Sequence, residues 1–198
     1  SSGTAALHLT MLALGLGPRD AVIVPSITFL ATANAARYVG AEVLFADVDP
    51  ATGLMTVSDA ENALTRAGDL NVRAVLPVHL NGQCADPSGF AELGRTHGLR
   101  IIADASHALG THYTANGENF SIGACQDDDM TVFSFHPVKT IAMGEGGAIT
   151  TRDPALAERL AQLRNHGMSQ AEEGFSETEQ AFAADGTRNP WYYEMAEL

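Results

Sequence analysis

Cysteine and positive charge are both scarce in this chain of 198 residues. The two cysteines, Cys84 and Cys125, stand far apart and show no spacing typical of metal ligands. A disulfide framework is therefore not expected, and a reducing, cytoplasmic compartment is the default expectation. Lysine and arginine number 11 against 24 aspartates and glutamates, which gives a net charge of −13. A chain this acidic is not expected to have nucleic acid or an anionic membrane as its main partner.

Long apolar runs are also absent, so no segment is expected to span a membrane. His79, His136 and His166 have no mutual spacing typical of metal ligands, so we expect structural histidines and no metal site. The composition that remains is that of a globular protein, with 45% hydrophobic and 18% charged residues. This length and composition suffice for one compact domain with a sizeable core.

Short apolar runs alternate with segments of helical period along the chain. Leu7, Met11 and Leu14 recur at helical spacing, and so do Leu156, Leu160 and Leu163. This alternation predicts an α/β fold, a three-layer sandwich with a mostly parallel sheet covered by helices on both faces. The last two predicted strands are too close for a helical crossover, so a hairpin is expected there. The predicted strands are residues 21–24, 42–45, 74–78, 99–103, 131–135 and 148–151.

Helix starts and one loop can also be predicted from local patterns. Ser58 with Glu61 has the spacing of a capping box, and Asp153-Pro154 is typical of a cap followed by proline at the first helical position. Residues 168–190 contain five acidic residues against one basic residue, together with two glycines and a proline. We interpret this segment as an acidic surface loop or a flap between domains.

The most informative residue is Lys139. It follows the strand-like run 130–135 and precedes the glycine-rich turn 144–147. A lysine held by a turn at a strand end becomes a nucleophile when burial or nearby cations lower its pKa, which is the requirement for Schiff-base chemistry with an aldehyde cofactor. Taken alone, a solvated lysine remains the alternative explanation.

Three further features point to the ligand that such a lysine would serve. The helix opening at Gly3, Thr4 and Ala5 predicts an anion site, with an ordinary helix cap as the alternative. Asp104 ends a predicted strand, where a carboxylate can hold a cationic ring nitrogen, although a turn aspartate would look the same. Phe29 follows another strand end and could stack on a flat ring, although it could equally be a core residue.

In this order, the anion site, the stacking ring, the strand-end aspartate and the strand-end lysine resemble the DegT/DnrJ/EryC1/StrS family of sugar aminotransferases, over essentially the whole chain. The stretches that carry the resemblance are Ser2-Gly3-Thr4-Ala5-Ala6-Leu7, Pro25-Ser26-Ile27-Thr28-Phe29, Asp47-Val48-Asp49-Pro50, Asp104-Ala105-Ser106-His107-Ala108-Leu109-Gly110, and Ser134-Phe135-His136-Pro137-Val138-Lys139 with Gly144-Glu145-Gly146-Gly147.

The resemblance implies the large domain of the fold-type I, aspartate-aminotransferase-like transferases that depend on pyridoxal 5′-phosphate. It implies that Lys139 holds the cofactor as a Schiff base and is the catalytic residue. It also implies the other cofactor-binding residues: Asp104 at the pyridine nitrogen, His107 at the ring, Phe29 stacked on it, and Gly3, Thr4, Ala5 and Ser134 at the phosphate.

Within the family, the sequences of residues 136–139 and 190–195 are most similar to those of the members that aminate C4 of a UDP-linked 4-keto-6-deoxy-N-acetylhexosamine in pseudaminic acid biosynthesis. The resemblance implies L-glutamate as amino donor and a homodimer with the active site at its interface. Another nucleotide-linked keto-sugar aminotransferase, a lyase or decarboxylase with the same cofactor, a non-catalytic cofactor-binding regulatory module and a structural fragment remain open.

Family members are longer than this chain. We therefore expect residues 1–198 to form an incomplete cofactor-binding large domain, cut at both ends, without the C-terminal small domain. A chain without those parts should by itself be a poor enzyme.

Overall fold

The computed structural model describes residues 1–195, and residues 196–198, the end of the predicted domain, lie outside that part. The strands are β1 (Asp20–Pro25), β2 (Glu42–Ala46), β3 (Asn71–Val75), β4 (Arg100–Asp104), β5 (His112–Ala115), β6 (Glu118–Ser121), β7 (Met130–Ser134), β8 (Gly147–Thr150), β9 (Met168–Ser169) and β10 (Glu194–Met195). The α-helices are α1 (Gly3–Ala13), α2 (Leu30–Tyr38), α3 (Val57–Leu64), α4 (Pro87–His97), α5 (Pro154–Arg164) and α6 (Thr178–Ala181), with short 3₁₀ helices at Leu80–Gly82 and Glu172–Gly174.

A six-stranded sheet in the order β2-β1-β3-β4-β7-β8 forms the centre of the fold. The first five strands pair in parallel, and β8 runs antiparallel to β7, with Ser134 opposite Gly147. This pairing confirms the mostly parallel sheet and the local hairpin predicted from the sequence. Because β1, β3, β4 and β7 are parallel, their carboxyl ends lie at one edge of the sheet, where ligands bind in this architecture.

Helices cover both faces of the sheet. Val22 and Val24 of β1 pack in one cluster with residues of α1, α2 and α5, whereas Ile23 between them packs with residues of α3 and α4. Successive strand side chains point to opposite faces, so each of these buried strands contributes to two cores. The three-layer arrangement predicted from the sequence is therefore confirmed.

Two parts of the sheet differ from the prediction. The strand predicted at residues 74–78 ends at Val75, and the pairing resumes only as an isolated bridge between Val78 and Asp104, because Pro77 has no N–H to donate. The hairpin of β5 and β6 was not predicted. Its turn residues, Asn116 and Gly117, both have positive φ (52° and 79°), as a two-residue type I′ turn requires.

The helix caps agree with the sequence at one site and differ at another. Asp153 accepts from two backbone N–H groups at the start of α5, as predicted. The capping box of α3 is formed by Thr56 and Asp59, not by Ser58 and Glu61. Thr56 is the residue with extended backbone angles, so the helix begins one residue after it, and Ser58 already lies inside the first turn.

Residues 168–190 are mostly exposed but contain short elements. They hold β9, a 3₁₀ helix and α6, and β9 pairs with β10. Phe175 is buried against Tyr192, with ring centroids 5.0 Å apart, and Arg188 lies 5.5 Å from the Phe175 ring. Within residues 1–195, none of the helices combines the length and the hydropathy needed to cross a bilayer.

Candidate active site

A cavity of about 640 Å³ opens at the carboxyl edge of the sheet, between the start of α1 and the ends of β4 and β7. It brings together most of the residues predicted from the sequence, which lie far apart along the chain. Those lining it are Gly3, Thr4, Phe29, Asp104, His107, Ser134 and Lys139.

The N-terminus of α1 lies at this cavity, which Ser2, Gly3 and Thr4 line. Ser2 caps the helix, and its Oγ accepts from the N–H of Ala5 at 3.1 Å. The amide of Ala5 is therefore already used by the cap, and Ala5 is not among the described residues that line the cavity. Gly3 and Thr4 do line it, and the partial positive charge of a helix start there suits an anion.

Gly3 also sets how closely α1 approaches β7. A Cβ on Gly3 would lie 2.7 Å from the Ser134 Cβ and 3.0 Å from the Ser134 Oγ. No side chain fits at that distance, so glycine is required where the helix start meets the strand end. The Ser134 hydroxyl and the helix N-terminus are thus held side by side as donors to one group.

Lys139 lies on a turn directly after β7. The Lys139 N–H donates to the His136 carbonyl oxygen at 2.9 Å, and the His136 N–H donates to Ser134 Oγ at 3.4 Å. The lysine side chain is partly buried and lines the cavity. It is the only lysine in the 198 residues, so any lysine-dependent chemistry of this chain belongs to this position.

Asp104 ends β4 and is 4% exposed. Its Oδ2 accepts from the Thr32 hydroxyl at 2.8 Å, and its Oδ1 accepts from the Ser106 N–H at 3.1 Å. Two donors stabilise an ionised carboxylate in a buried place. The carboxylate still has lone pairs available to a donor inside the cavity.

His107 stands beside Asp104 with a defined tautomer. The backbone N–H of Asn81 donates to His107 Nδ1 at 3.3 Å, which makes Nδ1 an acceptor and leaves the ring proton on Nε2. Burial lowers the pKa of His107, the positive charge of Lys139 lowers it further, and Asp104 opposes this effect. His107 is therefore a neutral donor at neutral pH.

Phe29 is not a core residue. It is the N-cap residue of α2 and is 71% exposed at the mouth of the cavity. A large aromatic ring in this position offers a free face for stacking. The structure therefore excludes the alternative, left open by the sequence, that Phe29 is a core residue.

Sequence reasoning missed several residues of the site. Thr28, Ser106, His136 and Glu145 line the cavity, and His136 Nε2 lies 3.8 Å from the Glu145 carboxylate. Thr32 holds Asp104 from 72 positions away. The only local signal for Thr32 is a polar residue on the buried, alanine-rich face of α2.

His79 is fully buried but only half satisfied. Its Nδ1 accepts from the Ala85 N–H at 3.0 Å, whereas Nε2 has no partner among the residues that the structure describes. Burial lowers its pKa to about 4, against the attraction of Asp104. No cluster of three potential metal ligands occurs within residues 1–195.

The residues present fit pyridoxal phosphate. Asp104 is a buried carboxylate on the cavity wall, and in the described part of the chain neither Lys139 nor any arginine forms an ion pair with it. A cationic ring nitrogen would supply the missing positive charge. The helix start beside Ser134 suits the phosphate, and Lys139 is the amine that an aldehyde requires.

Comparisons with known proteins agree with this geometry. The model of the DegT/DnrJ/EryC1/StrS aminotransferase family matches residues 1–186. Over 168 residues the chain is 44% identical to the UDP-N-acetyl-3-dehydro-alpha-D-glucosamine 3-aminotransferase of Acidithiobacillus ferrooxidans, covering 84% of this chain and 43% of that protein. It is 41% identical to the GDP-perosamine synthase of Caulobacter vibrioides, covering 85% and 43%. The chain thus spans less than half the length of these relatives.

Solved structures of relatives share the fold. The structure of DesV from S. venezuelae in complex with a ketimine intermediate has a TM-score of 0.76 and 40% identity, covering 87% of this chain and 44% of that one. The structure of NtdA from Bacillus subtilis, with its cofactor PMP bound, has a TM-score of 0.73 and 33% identity, covering 84% and 35%. The chain therefore belongs to the DegT/DnrJ/EryC1/StrS aminotransferase family and has the α/β fold of the fold-type I pyridoxal phosphate transferases.

Proposed function

We propose that the protein transfers the amino group of L-glutamate to the carbonyl carbon of a nucleotide-linked keto-sugar. The observation that carries this proposal is that Lys139 and the buried Asp104 line the same cavity. In this proposal residues 1–198 are the cofactor-binding large domain of a longer enzyme, which works in the cytoplasm as a homodimer with its active sites at the interface.

Lys139 is the residue that would hold the cofactor and then move the proton. When bound, pyridoxal phosphate supplies an electron sink for the carbon that loses its proton. The amine of Lys139, once free, removes the proton from the α-carbon of the amino donor and returns a proton in the reverse sense to the sugar carbon. No other lysine of the 198 residues can take this role.

The remaining residues hold the group in place and tune it. Asp104 accepts from the ring nitrogen and favours its protonated form. His107 donates from Nε2, Phe29 stacks on the ring, and Ser134 with the first N–H groups of α1 binds the phosphate. Ala5 contributes through the helix cap and not by a free amide, because its N–H donates to Ser2.

The names of the relatives support a nucleotide-linked sugar as substrate, because one is an aminotransferase of a UDP-linked dehydro-sugar and another a GDP-perosamine synthase. Our finer proposal is a UDP-linked 4-keto-6-deoxy-N-acetylhexosamine, as in pseudaminic acid biosynthesis. Amination at another position or of another nucleotide-linked keto-sugar is the main alternative.

The lysine assignment can be tested by borohydride reduction of a protein of the relatives' length that contains residues 1–198. Trypsin cleaves after Arg100, Lys139 and Arg152. Reductive attachment of the cofactor to Lys139 should block the middle cleavage and yield one uninterrupted peptide, residues 101–152, carrying the cofactor mass. Two unmodified peptides from a protein that has bound cofactor would refute the assignment.

The reaction class can be tested on the same protein by adding L-glutamate. The visible absorption band of the lysine-bound cofactor should disappear, with one 2-oxoglutarate released per bound cofactor. A band that is indifferent to glutamate would favour another amino donor, a lyase or a regulatory module. UDP-linked 4-keto-sugars and 3-keto-sugars should then be compared as acceptors by mass spectrometry of the amino-sugar product.

A further inference from the structure

Thr32 donates the shorter of the two hydrogen bonds that the Asp104 carboxylate accepts, yet it is fully buried and is not among the described residues that line the cavity. It lies in the first turn of α2, and its Oγ1 is 2.8 Å from Asp104 Oδ2. Thr32 can therefore act on a ligand in the cavity only through its neighbours, and its Oγ1 contacts Asp104 directly.

The direction of the hydrogen bonds can be assigned. An ionised carboxylate can only accept, so the Thr32 hydroxyl donates its single proton to Asp104. Thr28 Oγ1 lies 2.8 Å from Thr32 Oγ1, and Thr32 has no second proton to give. Thr28 must therefore be the donor in that bond, and the chain of donors runs from Thr28 through Thr32 to Asp104.

This order has a consequence at the cavity wall. Thr28 lines the cavity, but its proton is directed inward, so it offers only oxygen lone pairs to a ligand. Each hydroxyl in such a chain polarises the next, which strengthens the bond received by the carboxylate.

We propose that Thr32 is a positioning residue that orients the Asp104 carboxylate as the acceptor of the cofactor's ring nitrogen. The proposal rests on the proposed cofactor site. Without the Thr32 hydroxyl, the buried Asp104 carboxylate keeps only one of the two hydrogen bonds that it accepts from the protein, the one from the Ser106 N–H. The proton shared by Asp104 and the ring nitrogen should then move toward Asp104, and the cofactor should bind less tightly.

The test compares Thr32→Val, which removes the hydroxyl at nearly constant shape, with Thr32→Ser, which keeps it. The matched control is Thr10→Val. Thr10 is also fully buried on a helix, and its hydroxyl donates to the Leu7 carbonyl at 2.7 Å. Cofactor affinity is measured by absorbance titration, ring-nitrogen protonation by NMR of ¹⁵N-labelled pyridoxal phosphate, and folding by thermal unfolding of each protein without cofactor.

Thr32→Val should weaken cofactor binding roughly tenfold or more and shift the ring ¹⁵N resonance toward that of the neutral pyridine. Thr32→Ser should restore both readouts to within about threefold of the parent protein. Thr10→Val should leave both unchanged, whatever it does to the unfolding temperature.

The outcomes separate this inference from the proposed function. A parent protein that binds the cofactor, with a Thr32→Val variant of unchanged affinity and unchanged ¹⁵N resonance, overturns the role of Thr32 alone. The same holds if Thr32→Ser fails to restore the readouts while both variants unfold like the parent. A parent protein that binds no cofactor overturns the proposed function itself.

Discussion

Gly147 and Ser2 lie so close together that a Cβ on Gly147 would sit 2.5 Å from the Ser2 carbonyl carbon and 2.8 Å from the Gly3 nitrogen. Gly147, the first residue of β8, is thus in close contact with Ser2, the N-cap residue of α1. Together with the contact between Gly3 and Ser134, this fixes the helix start against two neighbouring strands. The anion site is therefore placed by backbone contacts that tolerate no side chain.

Gly147→Ala should weaken cofactor binding roughly tenfold, because the start of α1 must move away from Gly147 to make room for the added methyl group. Pyridoxal phosphate affinity by absorbance titration, together with the affinity for inorganic phosphate as a competitor, checks this. The control is Gly17→Ala, since a Cβ on Gly17 meets nothing within 4 Å. Equal affinities for the two variants would contradict the placement of the anion site.

Residues close in sequence were predictable, and contacts between distant segments were not. The hairpin around Lys139 follows from the short interval between two apolar runs, and Asp104 was placed at its strand end. Ala5 was predicted to be part of the anion site because the sequence does not reveal which Ser or Thr caps the helix. In the structure the Ser2 side chain uses that amide.

Thr32 illustrates what could not be predicted. Its partner Asp104 lies 72 positions away, and neither residue type nor periodicity marks a pair at that separation. The β5–β6 hairpin, by contrast, carried a local signal in Asn116-Gly117, but its strands are half polar and lack the apolar runs by which the other strands were identified.

The titration of His107 should respond to Lys139. Burial and the lysine charge both lower the pKa of His107, so replacing the lysine by a neutral side chain of similar length, Lys139→Met, should raise that pKa toward its ordinary value of about 6.5. Histidine titration by NMR in the cofactor-free protein measures it. His97, which is exposed on α4, serves as the reference signal. A pKa of His107 unchanged in Lys139→Met would show that the two side chains do not interact.

The protein should lose stability in mild acid through His79. Its folded pKa is about 4, below the unfolded value of about 6.5, so the unfolded chain binds the proton first. The contribution of neutral His79 to the free energy of unfolding is fully present above pH 6.5. It is lost as the pH falls toward 4, by up to about 3 kcal/mol.

His79→Gln removes this titration, so its free energy of unfolding should depend less on pH between 7 and 4.5. Urea unfolding at several pH values measures the slope. His97→Gln, at an exposed position, should keep the slope of the parent protein. If the free energy of unfolding of His79→Gln depends on pH as steeply as that of the parent protein, another group causes the loss of stability in acid.

Asp128 should make the protein less stable as the pH rises, in contrast to His79, which makes it less stable as the pH falls. Burial raises its pKa to about 7, the Thr131 hydroxyl opposes this by donating at 3.2 Å, and the neighbouring charges of Asp127 and Asp129 raise it further. Its Oδ1 is buried without a partner among the residues that the structure describes. The pKa of Asp128 is higher in the folded than in the unfolded chain. Its contribution to the free energy of unfolding is therefore fully present below about pH 4 and is lost as the pH rises through 7.

Asp128→Asn should therefore increase the free energy of unfolding at pH 8 by about 1–3 kcal/mol, with the gain shrinking toward pH 5. Asp129→Asn is the matched contrast, since it makes the same change of charge one residue away. Asp129 accepts from Arg100 at 2.6 Å and from the Ile101 N–H at 2.8 Å, so its replacement should destabilise the protein at both pH values. Urea unfolding of both variants at pH 5 and pH 8 decides the matter: a gain that does not depend on pH would assign the effect of Asp128 to packing or to net charge, not to the ionisation of a buried carboxyl group.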